Sequence, residues 1–86
     1  MNDGQGLPER VERMLTQLLA RPVSRHDDAR VPLRDLGLTS LRMIQLLGEL
    51  EATFDIRVAD EEVSPENFDT FDLLVAYLTR KRGGTS

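Results

Sequence analysis

Few residues in this 86-residue chain have the type and spacing to do chemistry. The single histidine, His26, stands beside Asp27 and Asp28, but lacks the second histidine or the helical spacing that a metal site requires. It reads as a solvated loop residue, and no metal ligands are assigned. The carboxylates read as solvated helix and loop faces, and no glycine-rich phosphate loop is present. With no cysteine there is no thiolate chemistry, no disulfide framework and no cysteine-type zinc site. What remains is Leu36-Gly37-Leu38-Thr39-Ser40-Leu41. Gly37 allows a tight chain reversal, and Thr39 can cap a helix whose first turn carries Ser40. A hydroxyl there is exposed, beside unpaired backbone N–H groups and the positive end of the helix dipole. A phosphodiester on that oxygen would be well placed. From position alone, a Ser40 that merely caps the helix is the simpler reading.

The elements that must position this segment follow from apolar spacing. Leu7, Val11, Met14, Leu15, Leu18 and Leu19 form one helical stripe, predicting a helix from Pro8 to Arg21 that Pro22 ends. Pro22 to Thr39 has no regular period, but Val31, Leu33, Leu36 and Leu38 should pin it across the core as a long loop. Ser40 to Phe54 is the strongest helix, with Leu41, Ile44, Leu47 and Leu50 along one side. Met43, Leu46 and Phe54 widen its apolar surface beyond what one core face needs, which fits either central-helix packing in a bundle or a face that partly meets partners. Ser64-Pro65-Glu66-Asn67-Phe68 reads as a single turn capped by its serine. Thr70 then opens a last helix with Phe71, Leu74, Val75 and Leu78, running to Arg80-Lys81-Arg82. Ile56-Arg57-Val58 is too short for a strand. The expected fold is all-α: three main helices, one short helix and a long first loop. Residues 1–6 are expected to be a flexible lead, 7–82 a single domain and 83–86 a flexible tail.

Composition narrows the function. At 40% hydrophobic and 30% charged the chain reads as globular, with little room for a deep catalytic cleft. The net charge of −4 hides a gradient. Asp35 to Asp72 hold ten acids against Arg42 and Arg57, while the segment from Leu73 on adds Arg80, Lys81 and Arg82. An acidic half repels phosphate backbones, so nucleic-acid binding is not expected, and partners with basic surfaces are. No secretory signal or membrane-length apolar run is visible, which leads to the expectation of a soluble, cytoplasmic monomer.

The segment Leu36 to Leu41, continued by Arg42-Met43-Ile44-Gln45-Leu46-Leu47, resembles the attachment motif of acyl and peptidyl carrier proteins. Phe54-Asp55, Asp60-Glu61-Glu62 and Phe68-Asp69-Thr70 extend the resemblance over about Leu7 to Leu78. It implies a four-helix carrier-protein bundle whose Ser40 receives 4′-phosphopantetheine from coenzyme A through a phosphopantetheinyl transferase. The arm's thiol would hold an acyl or aminoacyl group and present it to partners, the carrier itself doing no chemistry. An adenylating ligase or acyltransferase would load it, and synthase or tailoring enzymes would use it. The fatty-acid type usually has Asp before the serine, Asp two residues after it and Glu five after it; here these are Thr39, Arg42 and Gln45. The resemblance therefore implies a different partner set, with Thr39, Leu41, Arg42, Met43, Gln45, Leu46 and Glu49 as the docking face. Polyketide or nonribosomal-peptide metabolism is the expected setting. The alternatives are a D-alanyl-type or other aminoacyl carrier loaded by a separate ligase, or a helical adaptor without cofactor.

Overall fold

The structure is a computed structural model that describes residues 6–83. Four α-helices follow in order: α1 (Leu7–Leu19), α2 (Ser40–Phe54), α3 (Pro65–Phe68) and α4 (Phe71–Gly83). Short 3-10 turns, Leu33–Leu36 and Asp60–Glu62, interrupt the two loops before α2 and α3. Among the described residues the only β-type pairing is an isolated bridge between Pro32 and Thr70. The expected all-α bundle is what forms. The expected lead falls outside the described residues apart from Gly6, as does the expected tail apart from Gly83, which closes α4.

Helix α1 begins at a proline-compatible first turn and buries Val11, Leu15 and Leu19. It stops short of Arg21 because Ala20 turns left-handed at φ 56° and its N–H returns to the Thr16 carbonyl. The Thr16 hydroxyl then accepts the Val23 N–H at 3.1 Å, which folds the chain back and seats Val23 in the core. Arg25 is held by Glu12 at 2.8 Å, so the start of the long loop is tied to α1 as well. The rest of the loop is anchored by its buried leucines, Leu33, Leu36 and Leu38, as their apolar character led one to expect.

Helix α2 buries only part of its wide apolar surface. Leu46, Leu50 and Phe54 point inward, with Met43 and Leu47 half-buried beside them. Leu41 and Ile44 are 65% and 67% exposed. Periodicity could not choose between the two faces, because both are apolar. Gly48 lies mid-helix, where glycine costs about 0.5–1 kcal/mol relative to alanine. Nothing within the molecule requires it: a Cβ built there meets no atom within 4 Å. Arg42 ties the start of α2 to the end of α1, its guanidinium donating to the Leu18 carbonyl at 2.6 Å. That carbonyl sits in the last turn of α1, where intrahelical donors run out.

The acidic stretch before α3 is knotted onto α4 through one carboxylate. Glu62 accepts hydrogen bonds from the Ala59 N–H at 3.0 Å, the Tyr77 hydroxyl at 2.9 Å and Lys81 Nζ at 2.9 Å. These donors, the backbone N–H of Ala59 foremost, hold the Glu62 carboxyl down at about 2. Burial and the adjoining carboxylate push the Tyr77 hydroxyl up. Tyr77, a core residue the apolar spacing did not single out, also packs on Phe68 with ring centroids 5.3 Å apart, fixing α3 against α4. The Ser64 side chain does not cap α3, contrary to the sequence expectation; its carbonyl accepts the Asn67 and Phe68 N–H groups instead. The Thr70 hydroxyl does open α4, accepting the Leu73 N–H at 3.2 Å. At the far end Phe54 lies between the guanidinium groups of Arg10 and Arg82, 4.7 and 5.5 Å from the ring centroid.

Two outcomes follow for stability. Arg42→Ala leaves the Leu18 carbonyl without its partner and lowers unfolding stability by about 1–2 kcal/mol in urea titration. Glu62 titrates lower folded than unfolded, so its stabilisation is complete above the ordinary glutamate range and is lost as pH falls toward about 2. Urea midpoints measured across the acid range should therefore fall less steeply for Glu62→Gln than for the parent chain, from a lower starting point at neutral pH.

Candidate functional site

The site is built by the turn that delivers α2. The 3-10 turn Leu33–Leu36 closes when the Gly37 N–H reaches the Arg34 carbonyl at 3.2 Å and the Leu38 N–H reaches the Leu33 carbonyl at 3.0 Å. Gly37 makes this possible at φ 108°, a left-handed conformation that residues with a Cβ avoid. Leu38 then drives into the core, and two residues later Ser40 stands exposed as the first residue of α2. Thr39 between them is extended, and its hydroxyl accepts the Arg42 N–H at 3.2 Å. Its carbonyl accepts the Met43 N–H at 2.8 Å. The N–H groups of Ser40 and Leu41 precede any intrahelical acceptor, so the helix start presents donors and partial positive charge around the serine. An anionic ester on Ser40 Oγ fits this setting, and the exposed hydroxyl leaves room for a long substituent.

The other expected docking residues divide. Leu41, Gln45 and Glu49 are exposed on α2. Glu49 lines a surface cleft with Arg10, Arg13, Met14, Gln17 and Thr53, on the side of α2 that faces α1. Leu46 is wholly buried and cannot meet a partner; it belongs to the core because it lies on the same helical face as Leu50 and Phe54. Arg42, half-buried, donates to the Leu18 carbonyl of α1. Met43 is half-buried and lines an open cleft of about 260 Å³. Leu33, Leu38 and Met43 form one wall of that cleft, and Val63, Ser64, Pro65 and Phe68 the other. Arg34 and Asp69, paired at 3.0 Å, also line it. Ile44, as exposed as Leu41, shares its outward side and was not among the expected docking residues. The apolar step from Leu41 to Ile44 was visible, but not which way it faced.

His26 is exposed, its N–H bound to the Ser24 hydroxyl at 3.1 Å. Among the described residues no group of three or more histidine, aspartate or glutamate side chains is placed to hold a metal. Leu46, Leu50, Phe71 and Leu74 are all buried in the core. No helix among the described residues is long and apolar enough to cross a membrane.

Residues 9–78 match the phosphopantetheine attachment site family. Aminoacyl carrier protein 2 of Bradyrhizobium diazoefficiens is 32% identical over 76 residues, covering 88% of this chain and 83% of the relative. Aminoacyl carrier protein 1 of the same organism is 43% identical over 40 residues, covering 46% of this chain and only 44% of the relative. Among solved structures, the chain superimposes with a TM-score of 0.66 and 28% identity on a chain of the Bradyrhizobium japonicum glycine:[carrier protein] ligase complexed with glycylated carrier protein, covering 84% of this chain and 99% of that one. A second complex, of that ligase with its cognate carrier protein and an analogue of glycyl adenylate, gives 0.65 and 27% identity over 94% and 100% of the two chains. A matched segment spanning most of the chain, relatives that are themselves carriers, and a bundle that superimposes on theirs establish membership of the phosphopantetheine attachment site family: the chain is a carrier protein, non-catalytic and bearing a covalently attached 4′-phosphopantetheine.

Proposed function

We propose that this chain is an aminoacyl carrier that takes its prosthetic arm on Ser40 and is loaded with a small amino acid by a separate adenylating ligase. The observation that carries the attachment site is the start of α2: one exposed hydroxyl, Ser40, inside a helix N-terminus whose cap is supplied by its neighbour Thr39. Because Thr39 does the capping, Ser40 Oγ is left uncommitted to the backbone. Ser40 Oγ attacks the pyrophosphate of coenzyme A at the phosphorus nearer the pantetheine, its proton leaving to a base of the phosphopantetheinyl transferase. A serine phosphodiester forms, and the broken anhydride releases adenosine 3′,5′-bisphosphate. The N–H groups of the first turn and the helix dipole then favour the anionic ester. When bound, the arm supplies a terminal thiol that holds the cargo as a thioester, chemistry this cysteine-free chain lacks.

The aminoacyl cargo is supported by what the relatives are. Both curated relatives carry aminoacyl groups by name, and both superimposed carriers sit with a glycine ligase. Polyketide or nonribosomal-peptide metabolism, the setting the motif first implied, draws no such support, so the separate-ligase alternative is preferred. A tether raises the concentration of the thioester at each enzyme that accepts this carrier, which accounts for a protein that recognises rather than reacts.

The test is intact-protein mass. Incubation with coenzyme A, magnesium and a broad-specificity transferase should add one phosphopantetheine, and Ser40→Ala should gain none while keeping its helical circular dichroism. Adding ATP, glycine and a glycine:carrier ligase should add one glycyl group to the loaded protein, removed by hydroxylamine. Pantetheinylation of Ser40→Ala would overturn the attachment site. Loading by acyltransferases but by no amino-acid ligase would overturn the aminoacyl reading.

A further inference from the structure

Three kinds of side chain attack a thioester readily: a cysteine thiolate, a neutral lysine amine and a histidine imidazole. The sequence holds no cysteine, one histidine and one lysine, against ten arginines. The helices decide where these stand. The Arg42 guanidinium on the Leu18 carbonyl sets the end of α1 beside the start of α2. The Arg10 and Arg82 guanidiniums over the Phe54 ring set the start of α1 and the end of α4 beside the end of α2. Ser40 and Phe54 therefore mark opposite poles, about 21 Å apart along α2. The cations at the Ser40 pole are arginines: Arg42 itself, Arg21 just beyond Leu18, and Arg34 in the turn that delivers α2. Lys81 stands at the other pole next to Arg82. It donates to both Glu62 carboxylate oxygens, at 2.9 and 3.1 Å, and its side chain is only 28% exposed. His26 lies along the flank of α1, next to Arg25, whose N–H meets the Glu12 carboxylate at 2.9 Å.

We infer that the Ser40 pole is a non-nucleophilic surface that preserves the thioester: Arg21, Arg34 and Arg42 supply positive charge beside the arm without an amine that would take its acyl group. The inference rests on Ser40 being the attachment residue. An acyl group tethered there meets the surrounding surface at an effective concentration of about millimolar order. A lysine in that range, with an ordinary pKa of about 10.4, is neutral in roughly one molecule in 25 at about pH 9. Its Nε attacks the thioester carbonyl carbon. The C–N bond forms, the C–S bond breaks, and the proton shed by nitrogen passes to the departing sulfur. The products are an Nε-acyl lysine and the free thiol of the arm. That outcome is a dead end, because the amide does not return its acyl group to the thiol. Arginine carries the same charge without this reaction, since a guanidinium stays protonated across this range and has no free lone pair to offer. Lys81 is kept from it by distance and by Glu62, because an ammonium donating to a carboxylate has no lone pair for attack.

The experiment uses the full chain. A broad-specificity phosphopantetheinyl transferase with magnesium and acetyl-coenzyme A installs the arm already acetylated, so no ligase is needed. Excess acetyl-coenzyme A is removed and the dilute carrier is held at about pH 9. Hydroxylamine then strips every remaining thioester before intact mass and peptide mapping. Ser40→Ala, treated alike, sets the background of acetylation direct from coenzyme A. Arg21→Lys and Arg34→Lys, both at exposed positions, should keep the helical circular dichroism of the parent. Each should gain hydroxylamine-resistant acetyl at the substituted position about tenfold faster than the parent gains it at Lys81. Arg82→Lys, the control at the far pole, should match the parent. No faster transfer in either near-pole variant, equal transfer in Arg82→Lys, or a parent that acetylates Lys81 as fast as the variants acetylate theirs overturns the inference while leaving Ser40 as the attachment site. A parent that gains no arm, or an arm on Ser40→Ala, fails the assignment of Ser40 instead.

Discussion

The chain passes from core to solvent within two residues, and the rest of the molecule is arranged around that passage. Leu38 is buried and Ser40 is exposed, and between them the backbone must leave a 3-10 turn and enter a helix. Three local devices make the step: Gly37 at positive φ, the Leu38 side chain as anchor, and the Thr39 hydroxyl as cap. Each acts on the backbone and none uses the serine. The serine is thereby free, and the helix behind it is held rigidly by its buried face and by Arg42 on α1. A carrier needs this combination, because its enzymes must find a reactive group at a fixed place on a surface that has no catalytic machinery of its own.

Several charged residues of this carrier are spent on the fold. Glu62 gathers a backbone N–H, a tyrosine hydroxyl and a lysine, and so fastens the segment before α3 to α4. Glu12 holds Arg25, Glu51 holds the Val58 N–H, and Asp69 pairs with Arg34. Net charge describes the far field that a partner feels. The near field also depends on which carboxylates are already engaged, as Glu51 and Glu62 are.

Much of the molecule was legible in the residues themselves. Helix spacing located α1, α2 and α4 because their apolar residues recur at three and four. Proline and threonine marked the starts of α3 and α4, and Leu-Gly-Leu-Thr-Ser-Leu marked the site, since positive φ, a cap and a first-turn hydroxyl are all properties of neighbouring residues. The errors have one character. Leu46 is buried where a docking residue is expected, and the Ser64 side chain leaves α3 uncapped. Each depends on what stands across from the residue in space.

The sequence by itself thus determined the helices, the anchored loop and the identity of the candidate serine, because turn geometry, capping and periodicity are short-range. Tertiary structure alone decided which face of α2 is hidden, since a helix apolar on both sides has no preferred side until α1 and α4 close on one of them. It also decided where the charges go. Glu62 meets Tyr77 and Lys81 across 15 and 19 residues, and Arg42 meets Leu18 across 24, separations at which sequence spacing carries no geometric information.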